Sequence, residues 1–329
     1  MAKLKLSIAV GDYDRVRPLA SGAIGIDGVD PIMMALDPEE IFFRAIRSAE
    51  FDVCELSLSS FIVKTAAGNS PYIGIPVFPS RAFRHTSVYI RTDRGIKEPM
   101  DLAGRVIGSP EYQLTACVWA RAILEDDYGL KPETVTWMRG GIETPGRIEK
   151  IDLNLPGIKL IDAPEGKSLS QALADGDIDG MVTPRAPSCF DRGHPNVDWL
   201  FKDPVAAATD YFKRTGIFPI MHILGVKKEL AEKHPWLPSA LYKAFEQSKA
   251  FALTKLTDTS ATKITMPFVE ERLREARKLM GHDFWSYGLE ANHKTLDTFL
   301  RHHHAQGLSS RRVKPEELFH PATTETFKI

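Results

Sequence analysis

The fold of this chain is decided by two stretches of its sequence. The first is YIRTDRGIKEPMDLAGRVIGSPEYQLTACVWARAILEDDYGL at residues 89–130, and the second is QALADGDIDGMVTPRAP at residues 171–187. The first predicts a buried strand at Arg105–Gly108, then a polar turn and a long helix. The second predicts a helix, an acidic turn and another buried strand. The first N–H groups of a helix lack intrahelical partners, so the polar turn is a candidate anion site.

Strands and helices also alternate in the 88 residues before the first stretch. LKLSIAV, FDVCELS and YIGIPVFP read as strands. Between the first two, Asp37 and Pro38 mark a helix start, with Asp37 as the N-cap and Pro38 at the first helical position. This alternation predicts βαβ units and a mainly parallel sheet. Ligands of such sheets bind in the loops beyond the carboxyl ends of the strands.

The chain after the second stretch is expected to return to the first sheet. FPIMHILGV reads as a strand, and helices are predicted at Leu237–Lys255, Phe268–Met280 and His293–Gly307. We therefore predict an α/β fold of two lobes, each with a mainly parallel sheet flanked by helices. The first lobe comprises residues 1–90 and 190–329, including the C-terminal helices and tail, and the second comprises residues 91–189.

Composition narrows the class of protein. The 329 residues are 43% hydrophobic and 26% charged, with a net charge of −1, which gives no support to nucleic-acid binding. No apolar run approaches the ~18 residues that a membrane span needs, and the N-terminal one is too short for a signal peptide. Cys54, Cys117 and Cys189 are scattered and form no CxxC pair. We expect a cytoplasmic protein with reduced thiols that forms a homo-oligomer.

Two groups of polar residues follow strands of the first lobe. Asp12, Tyr13, Asp14 and Arg15 follow the first strand directly, where a ligand is expected; the alternative is a charged loop with Asp12 as an N-cap. Ser57 and Ser59 lie at a strand-to-helix turn.

Two arginines and a histidine stand at the predicted crossing into the second lobe. Arg81, Arg84 and His85 could capture a carboxylate and transfer a proton, because arginine binds carboxylates bidentately and histidine titrates near neutral pH. The alternative is a solvated basic loop. A second histidine, His222, lies within an apolar strand, where a core residue with satisfied hydrogen bonds is the competing interpretation.

The polar turn of the second lobe supplies a further group. This group comprises Ser109, Glu111, Tyr112, Gln113 and Thr115. We expect it to bind substrate. The alternative is that Ser109 or Thr115 only caps the N-terminus of the helix. Thr183 and Arg185 follow the last strand of this lobe. Arg185 is expected to face Arg81 and Arg84 from the opposite wall of a cleft, or else to be a surface arginine.

No organic cofactor or metal is expected. The sequence contains no HExxH, GxSxG or GxxxxGK[ST] motif. His302, His303 and His304 are consecutive on a helix and cannot share one metal, so we expect them to be solvated or interfacial. Asp12, Asp14, Glu111 and the histidines could build an oxygen-rich metal site, but no ligand spacing demands one.

Longer blocks of the sequence resemble known families. DLAGRVIG and ALADGDIDG resemble the second lobe of type II periplasmic binding proteins, which implies a site in a cleft between two lobes. Four blocks together resemble 4,5-dihydroxyphthalate decarboxylase and its relatives: KLKLSIAVGDYDRVRPL (3–19), FDVCELSLSSFI (51–62), IPVFPSRAFRHTSVYIR (75–91) and GIFPIMHILGVKKEL (216–230). The resemblance covers nearly the whole chain. It implies a cytoplasmic enzyme that removes one ring carboxylate from a dihydroxylated phthalate without oxidation, giving protocatechuate.

The roles of individual residues follow from this chemistry and from their placement. We predict Arg81 and Arg84 as carboxylate clamps and His85 as the proton donor to the ring, with Asp14 or Glu111 orienting a hydroxyl or the histidine. His222 is the competing proton donor. The alternative function is a small-molecule binding protein for an aromatic or sulfonate-like anion, without chemistry.

Overall fold

The chain forms two compact units, each a mixed α/β structure. The computed structural model describes residues 3–147, 149–151 and 154–324. The first unit comprises the chain up to Arg81, Ile220–Asp297 and the chain from Val313 onward; the second comprises Ala82–Pro219 and Thr298–Arg312. Two separate sheets flanked by helices confirm the predicted fold class.

The elements follow one another in three runs along the chain. Before the first crossing lie β1 (Leu4–Val10), α1 (Arg17–Ala20), β2 (Val29–Ala35), α2 (Pro38–Ser48), β3 (Val53–Ser57), α3 (Leu58–Ala66) and β4 (Tyr72–Arg81). The second unit contains β5 (Val88–Arg91), β6 (Val106–Ser109), α4 (Thr115–Tyr128), β7 (Thr136–Arg139), β8 (Lys159–Asp162), α5 (Leu169–Asp175), β9 (Gly180–Val182), α6 (Ser188–Asp191), β10 (Val197–Trp199) and α7 (Pro204–Thr215). The last run is β11 (Ile220–Lys227), α8 (Lys228–Lys233), α9 (Leu237–Leu256), α10 (Val269–Met280) and α11 (His293–Ala305).

Each sheet is parallel except for one strand. The first sheet has the order β2-β1-β3-β11-β4, and only β11 runs against its neighbours. The second has the order β10-β5-β9-β6-β7-β8, and only β5 is reversed. The two reversed strands are the first strands after the chain crosses from one unit to the other. The start of β11 therefore lies at the same edge of the first sheet as the carboxyl ends of β3 and β4.

The local signals in the sequence act as predicted. Asp37 caps α2 by accepting a hydrogen bond from the Glu39 N–H at 2.9 Å, and Pro38 occupies the first helical position. Helices α9, α10 and α11 lie within two residues of their predicted bounds. The core of the first sheet is formed by fully buried aliphatic side chains: Ile8, Val10, Val53, Leu56, Ile75, Val77, Ile223 and Leu224.

The unit boundaries differ from the predicted ones. Residues 88–91 form β5, which pairs with β9 and β10 and is thereby part of the second sheet. The end of α11 also belongs to the second unit, where Phe299 packs on Trp119 with ring centroids 5.1 Å apart. Neither pairing has a local signal, because both depend on contacts distant in sequence.

Of the three histidines at 302–304, which were expected to be solvated or interfacial, only His304 is exposed. His302 and His303 are buried rather than solvated. The His302 Nε2 lies 2.8 Å from the Asp126 carboxylate, and the His304 Nδ1 lies 2.9 Å from the Ser309 carbonyl oxygen.

Within the residues that the structure describes, no helix combines the length and apolar character that crossing a membrane requires.

Candidate active site

A buried carboxylate and a histidine meet on adjacent strands of the first sheet. In the antiparallel ladder of β3 and β11, His222 is opposite Ser57, and Leu224 is opposite Glu55. Opposite residues share a face, and so do residues two apart, so Glu55, Ser57 and His222 all lie on one face. The His222 Nδ1 is hydrogen-bonded to Glu55 Oε1.

Glu55 is fully buried and fixed by two further donors. The Gly11 N–H donates to its Oε2 at 2.8 Å, and the Tyr13 hydroxyl donates to its Oε1 at 2.8 Å. Burial by itself raises the pKa of Glu55, but the charge and hydrogen bond of His222, together with the other two donors, hold that pKa below its usual range. The carboxylate is therefore ionised, and its hydrogen bonds to Gly11 and Tyr13 hold it in place.

The loop after β1 is shaped to reach this carboxylate. A Cβ on Gly11 would lie 2.6 Å from the Tyr13 ring, so only glycine leaves room for the tyrosine here. Burial and the Glu55 charge raise the pKa of Tyr13, which keeps its hydroxyl protonated as a donor. Arg15 lies between the rings of Tyr13 and Trp285, 4.2 and 4.3 Å from their centroids, and its Nε donates to the Pro79 carbonyl at 2.7 Å.

His222 is held so that one ring nitrogen remains available. Phe42 packs edge-on against its ring, with centroids 4.7 Å apart. The hydrogen bond to Glu55 fixes Nδ1 as the donor, so the exchangeable position is Nε2. That nitrogen makes no hydrogen bond to any described residue, and 18% of the side chain is exposed. The arrangement can transfer a proton to or from a bound molecule.

Asp12 and Asp14, the two acidic residues predicted for this loop, pair with neighbouring arginines. Asp12 is exposed and pairs with Arg17 at 2.8 Å. Asp14 is exposed, accepts the Arg15 N–H at 2.7 Å and contacts the Arg15 guanidinium. Ser57 and Ser59 are buried where β3 passes into α3.

His85 has a different environment in the second unit. Its ring is buried against Phe201 and Tyr211, with centroids 5.2 and 5.5 Å away. Neither ring nitrogen has a hydrogen-bond partner among the described residues. Burial lowers the pKa of His85 to about 4, so the imidazole is neutral at neutral pH. These features weigh against the predicted role of His85 as proton donor.

The two arginines predicted as carboxylate clamps belong to different units. Arg81 is buried and donates to the Ser286 carbonyl at 2.6 Å and to the Asn292 side chain. Both acceptors, Ser286 and Asn292, lie in the segment of the protein after α10, so Arg81 links β4 to that segment. Burial lowers the pKa of Arg81 to about 9 and that of Arg84 to about 10. Arg84 remains the predicted clamp for a carboxylate.

The polar turn of the second unit surrounds a buried carboxylate instead of a vacant anion site. Arg147 and Lys150 contact Glu111 at 2.6 and 2.7 Å. Burial raises the pKa of Glu111, but these two cations outweigh it and hold the pKa below its usual range. The Gln113 amide also donates to Glu111, at 3.3 Å, and Ser109 Oγ donates to its carbonyl oxygen at 3.4 Å.

The other predicted residues of this unit lie around the same turn or beyond β9. Tyr112 is buried beneath the Arg121 guanidinium, which lies 3.7 Å from its ring centroid. Thr115 is the buried first residue of α4. Thr183 is buried and donates to the carbonyl oxygen of Arg185, whose side chain is exposed.

Comparison with known proteins decides the family. A 4,5-dihydroxyphthalate decarboxylase from Comamonas testosteroni is 65% identical over 330 residues, covering 100% of both chains. One from Pseudomonas putida is 62% identical over 214 residues, covering 65% of this chain and 83% of the relative. The chain belongs to the 4,5-dihydroxyphthalate decarboxylase family. No family model matches it.

Solved structures relate the fold of this decarboxylase family member to binding proteins. A periplasmic sulfonate-binding protein from Methylobacillus flagellatus has a TM-score of 0.56 at 15% identity, covering 98% of this chain and 93% of that one. The alkanesulfonate-binding protein from Xanthomonas axonopodis has a TM-score of 0.55 at 12% identity, covering 97% and 99%. At these identities the likeness concerns the fold alone, and it confirms the periplasmic-binding-protein-like architecture.

Three residues of the decarboxylase's polar clusters were missed by the sequence analysis. Glu55 stands within FDVCELS, and a glutamate inside an apolar buried strand is itself a signal, because glutamate is almost never fully buried unless it is paired. Arg147 and Lys150 lie in an irregular segment with no periodicity, and only the folded chain places them beside Glu111.

The sequence left open a metal site built from Asp12, Asp14, Glu111 and the histidines. Asp12 and Asp14 belong to the first unit, and Glu111 to the second. Among residues 3–147, 149–151 and 154–324, no three carboxylate, imidazole or thiol side chains are close enough together to hold a metal ion. Activity without a metal stays a prediction.

Proposed function

We propose that this protein removes one carboxylate from 4,5-dihydroxyphthalate, giving 3,4-dihydroxybenzoate and carbon dioxide, with His222 as the proton donor. The observation that carries the assignment of His222 is that its Nε2 is unpaired among the described residues, while buried Glu55 fixes Nδ1 and 18% of the side chain is exposed. The reaction itself is supported by the names of the two relatives, one of them 65% identical over the full chain.

The chemistry needs one proton delivered to one carbon. His222 Nε2–H would protonate the ring carbon that bears the departing carboxylate, and the hydroxyl para to that carbon would stabilise the resulting cation. The bond to the carboxylate then breaks, its electron pair restores the aromatic ring, and carbon dioxide leaves. A proton from solvent returns to Nε2, so each turnover consumes one proton and needs no redox partner.

Glu55 would act as a positioning residue rather than as a proton carrier. It is buried, ionised and bound by donors from Gly11 and Tyr13 as well as from His222. Such a carboxylate fixes the tautomer and the orientation of the histidine, as second-layer carboxylates do for other functional histidines. Tyr13 and Arg15 complete this layer, because the arginine packs on the ring whose hydroxyl binds Glu55.

We expect Glu55→Gln to lower kcat by about 10–100-fold with little change in KM, because the amide keeps the shape but no longer fixes the tautomer. Steady-state carbon dioxide release measures this. Glu50→Gln is the matched control, since Glu50 is exposed and pairs with Arg44 on the surface. Equal activity of Glu55→Gln and the wild type would mean that the pair has only a structural role.

We also expect full activity after exhaustive chelation. The substrate's hydroxyl supplies the electrons, and the proton comes from a side chain, so no step requires a Lewis acid. Turnover is measured before and after dialysis against a strong chelator, with metal content checked. Loss of turnover that a single divalent ion restores would contradict the prediction.

We propose that the enzyme is cytoplasmic. Support comes from Cys54, Cys117 and Cys189, which are all buried and unpaired, as expected of a chain that folds in a reducing compartment. Fractionation of cells that produce the full-length protein tests this; recovery in the periplasmic fraction would contradict it. The homo-oligomeric state also stays a prediction.

A further inference from the structure

Strand β4 bulges where it pairs with the start of β11. His222 is opposite Ser80, and the next pair along the ladder is Leu224 and Ile75. One residue lies between these pairs on β11, but four lie between them on β4, so residues 76–79 bulge out of the ladder. Two of these four are prolines, which lack the N–H group that ladder pairing requires. Bulges are frequent beside active sites, where they re-aim a side chain.

The bulge is fastened by groups from outside the sheet. Three of its carbonyl groups accept hydrogen bonds: Pro76 from the Gly288 N–H at 2.8 Å, Phe78 from the Trp285 indole N–H at 3.0 Å, and Pro79 from Arg15 Nε at 2.7 Å. These donors lie in the loop after β1 and in the segment after α10. They hold the bulge in one conformation, as a binding site that is formed before its ligand arrives requires.

The bulge sets Ser80 opposite the proposed proton donor. Opposite residues of an antiparallel ladder share a face, and their Cβ atoms are about 4.5–5.5 Å apart. Ser80 and His222 are therefore neighbours on the face that also carries Glu55. Ser80 is half-buried, and its hydroxyl forms no hydrogen bond with any residue that the structure describes. This hydroxyl is thus available to donate to a bound molecule.

We propose that Ser80 confers specificity for an aromatic ring with two adjacent carboxylates, by donating a hydrogen bond to the carboxylate that the reaction retains. The inference rests on the proposed function, in which His222 protonates the carbon that loses the other carboxylate. In a benzene-1,2-dicarboxylate the retained group is on the neighbouring carbon, so a donor beside His222 can meet it. A neutral donor suits this place, because a cation would also bind the departing carboxylate and stabilise the ground state.

Ligand-detected NMR titrations with two ligands that differ only in the carboxylate test this contact. 3,4-Dihydroxybenzoate carries the retained carboxylate, and catechol is the same ring without it. Ser80→Ala should weaken binding of 3,4-dihydroxybenzoate by about 10-fold or more, because a hydrogen bond to a charged group is lost, and change catechol binding by less than about 2-fold. Ser239→Ala is the matched control, since Ser239 is also half-buried but lies on α9, where its hydroxyl donates to the Ala322 carbonyl at 3.0 Å.

Failure of this inference differs from failure of the proposed function. If the wild type releases carbon dioxide and Ser80→Ala binds 3,4-dihydroxybenzoate as tightly as the wild type, the role of Ser80 is overturned alone. An equal loss of affinity for both ligands also overturns it, because Ser80 would then act through the shape of the site. A wild type without turnover would contradict the proposed function, while the two titrations would still decide whether Ser80 binds a carboxylate. Thermal unfolding of Ser80→Ala should match the wild type, which separates lost binding from lost folding.

Discussion

The His222→Asn variant is expected to lose about 10²–10⁴-fold in kcat while binding the product within a few-fold of wild type. General acid catalysis contributes rate factors of this size, and asparagine has no titratable proton. Its side-chain amide can still donate to Glu55, which limits the structural change. Carbon dioxide release gives kcat, and calorimetry with 3,4-dihydroxybenzoate gives the affinity.

His85→Asn is the comparison that makes this result decisive. The buried, neutral imidazole of His85 is expected to contribute little to the chemical step, so kcat should stay within a few-fold of wild type. If His85→Asn abolished turnover in a folded protein and His222→Asn did not, the proton donor would be His85, and Glu55–His222 would be a structural pair.

His85 is instead expected to make the stability of the second unit depend on pH. Its pKa is about 4 in the folded protein against a usual value of 6.5, so between these values the unfolded chain binds more protons. The free energy of unfolding therefore rises with pH across this window and falls as the pH drops from 6.5 toward 4. This difference in pKa between the folded and unfolded chain corresponds to on the order of 3 kcal/mol.

Urea unfolding at a series of pH values measures this, and the difference between wild type and His85→Phe isolates the contribution of His85. Phenylalanine keeps an aromatic ring between Phe201 and Tyr211 but has no proton to gain. The variant should lose much of the dependence between pH 6.5 and 4. His320, whose pKa burial also lowers, contributes in the same direction in both proteins and cancels in the difference. Parallel curves for the two proteins would contradict the assignment.

Much of the fold could be predicted from the sequence because its signals are local. The Asp37-Pro38 start of α2 and the apolar periodicity of α9 and α11 each depend on a few neighbouring residues. Where the fold depends on distant contacts, prediction was weaker. β5 belongs to the second sheet only because β9 and β10 pair with it, and the end of α11 belongs to the second unit because Phe299 meets Trp119.

The same difference between local signals and contacts distant in sequence applies to the candidate active site. The positions of Tyr13, Arg15 and His222, at strand ends or on a returning strand, predict them as site residues, and the structure brings them into one network. Glu55, which links them, is not predicted as a site residue, because its strand reads as apolar. The sequence favours His85 because it stands between two arginines and a following strand, but sequence spacing cannot show that aromatic rings enclose it and lower its pKa.

The position of β11 has a consequence for how the chain assembles during synthesis. This strand fills the space between β3 and β4, yet the ribosome makes it only after the whole interval from Ala82 to Pro219. At about 5–20 residues per second, that delay is on the order of 10 s. Until then β3 and β4 have unpaired edges, which are prone to aggregation, and Glu55 has no histidine partner. Nascent chains that stop before Ile220 should therefore be substrates for chaperones and proteases.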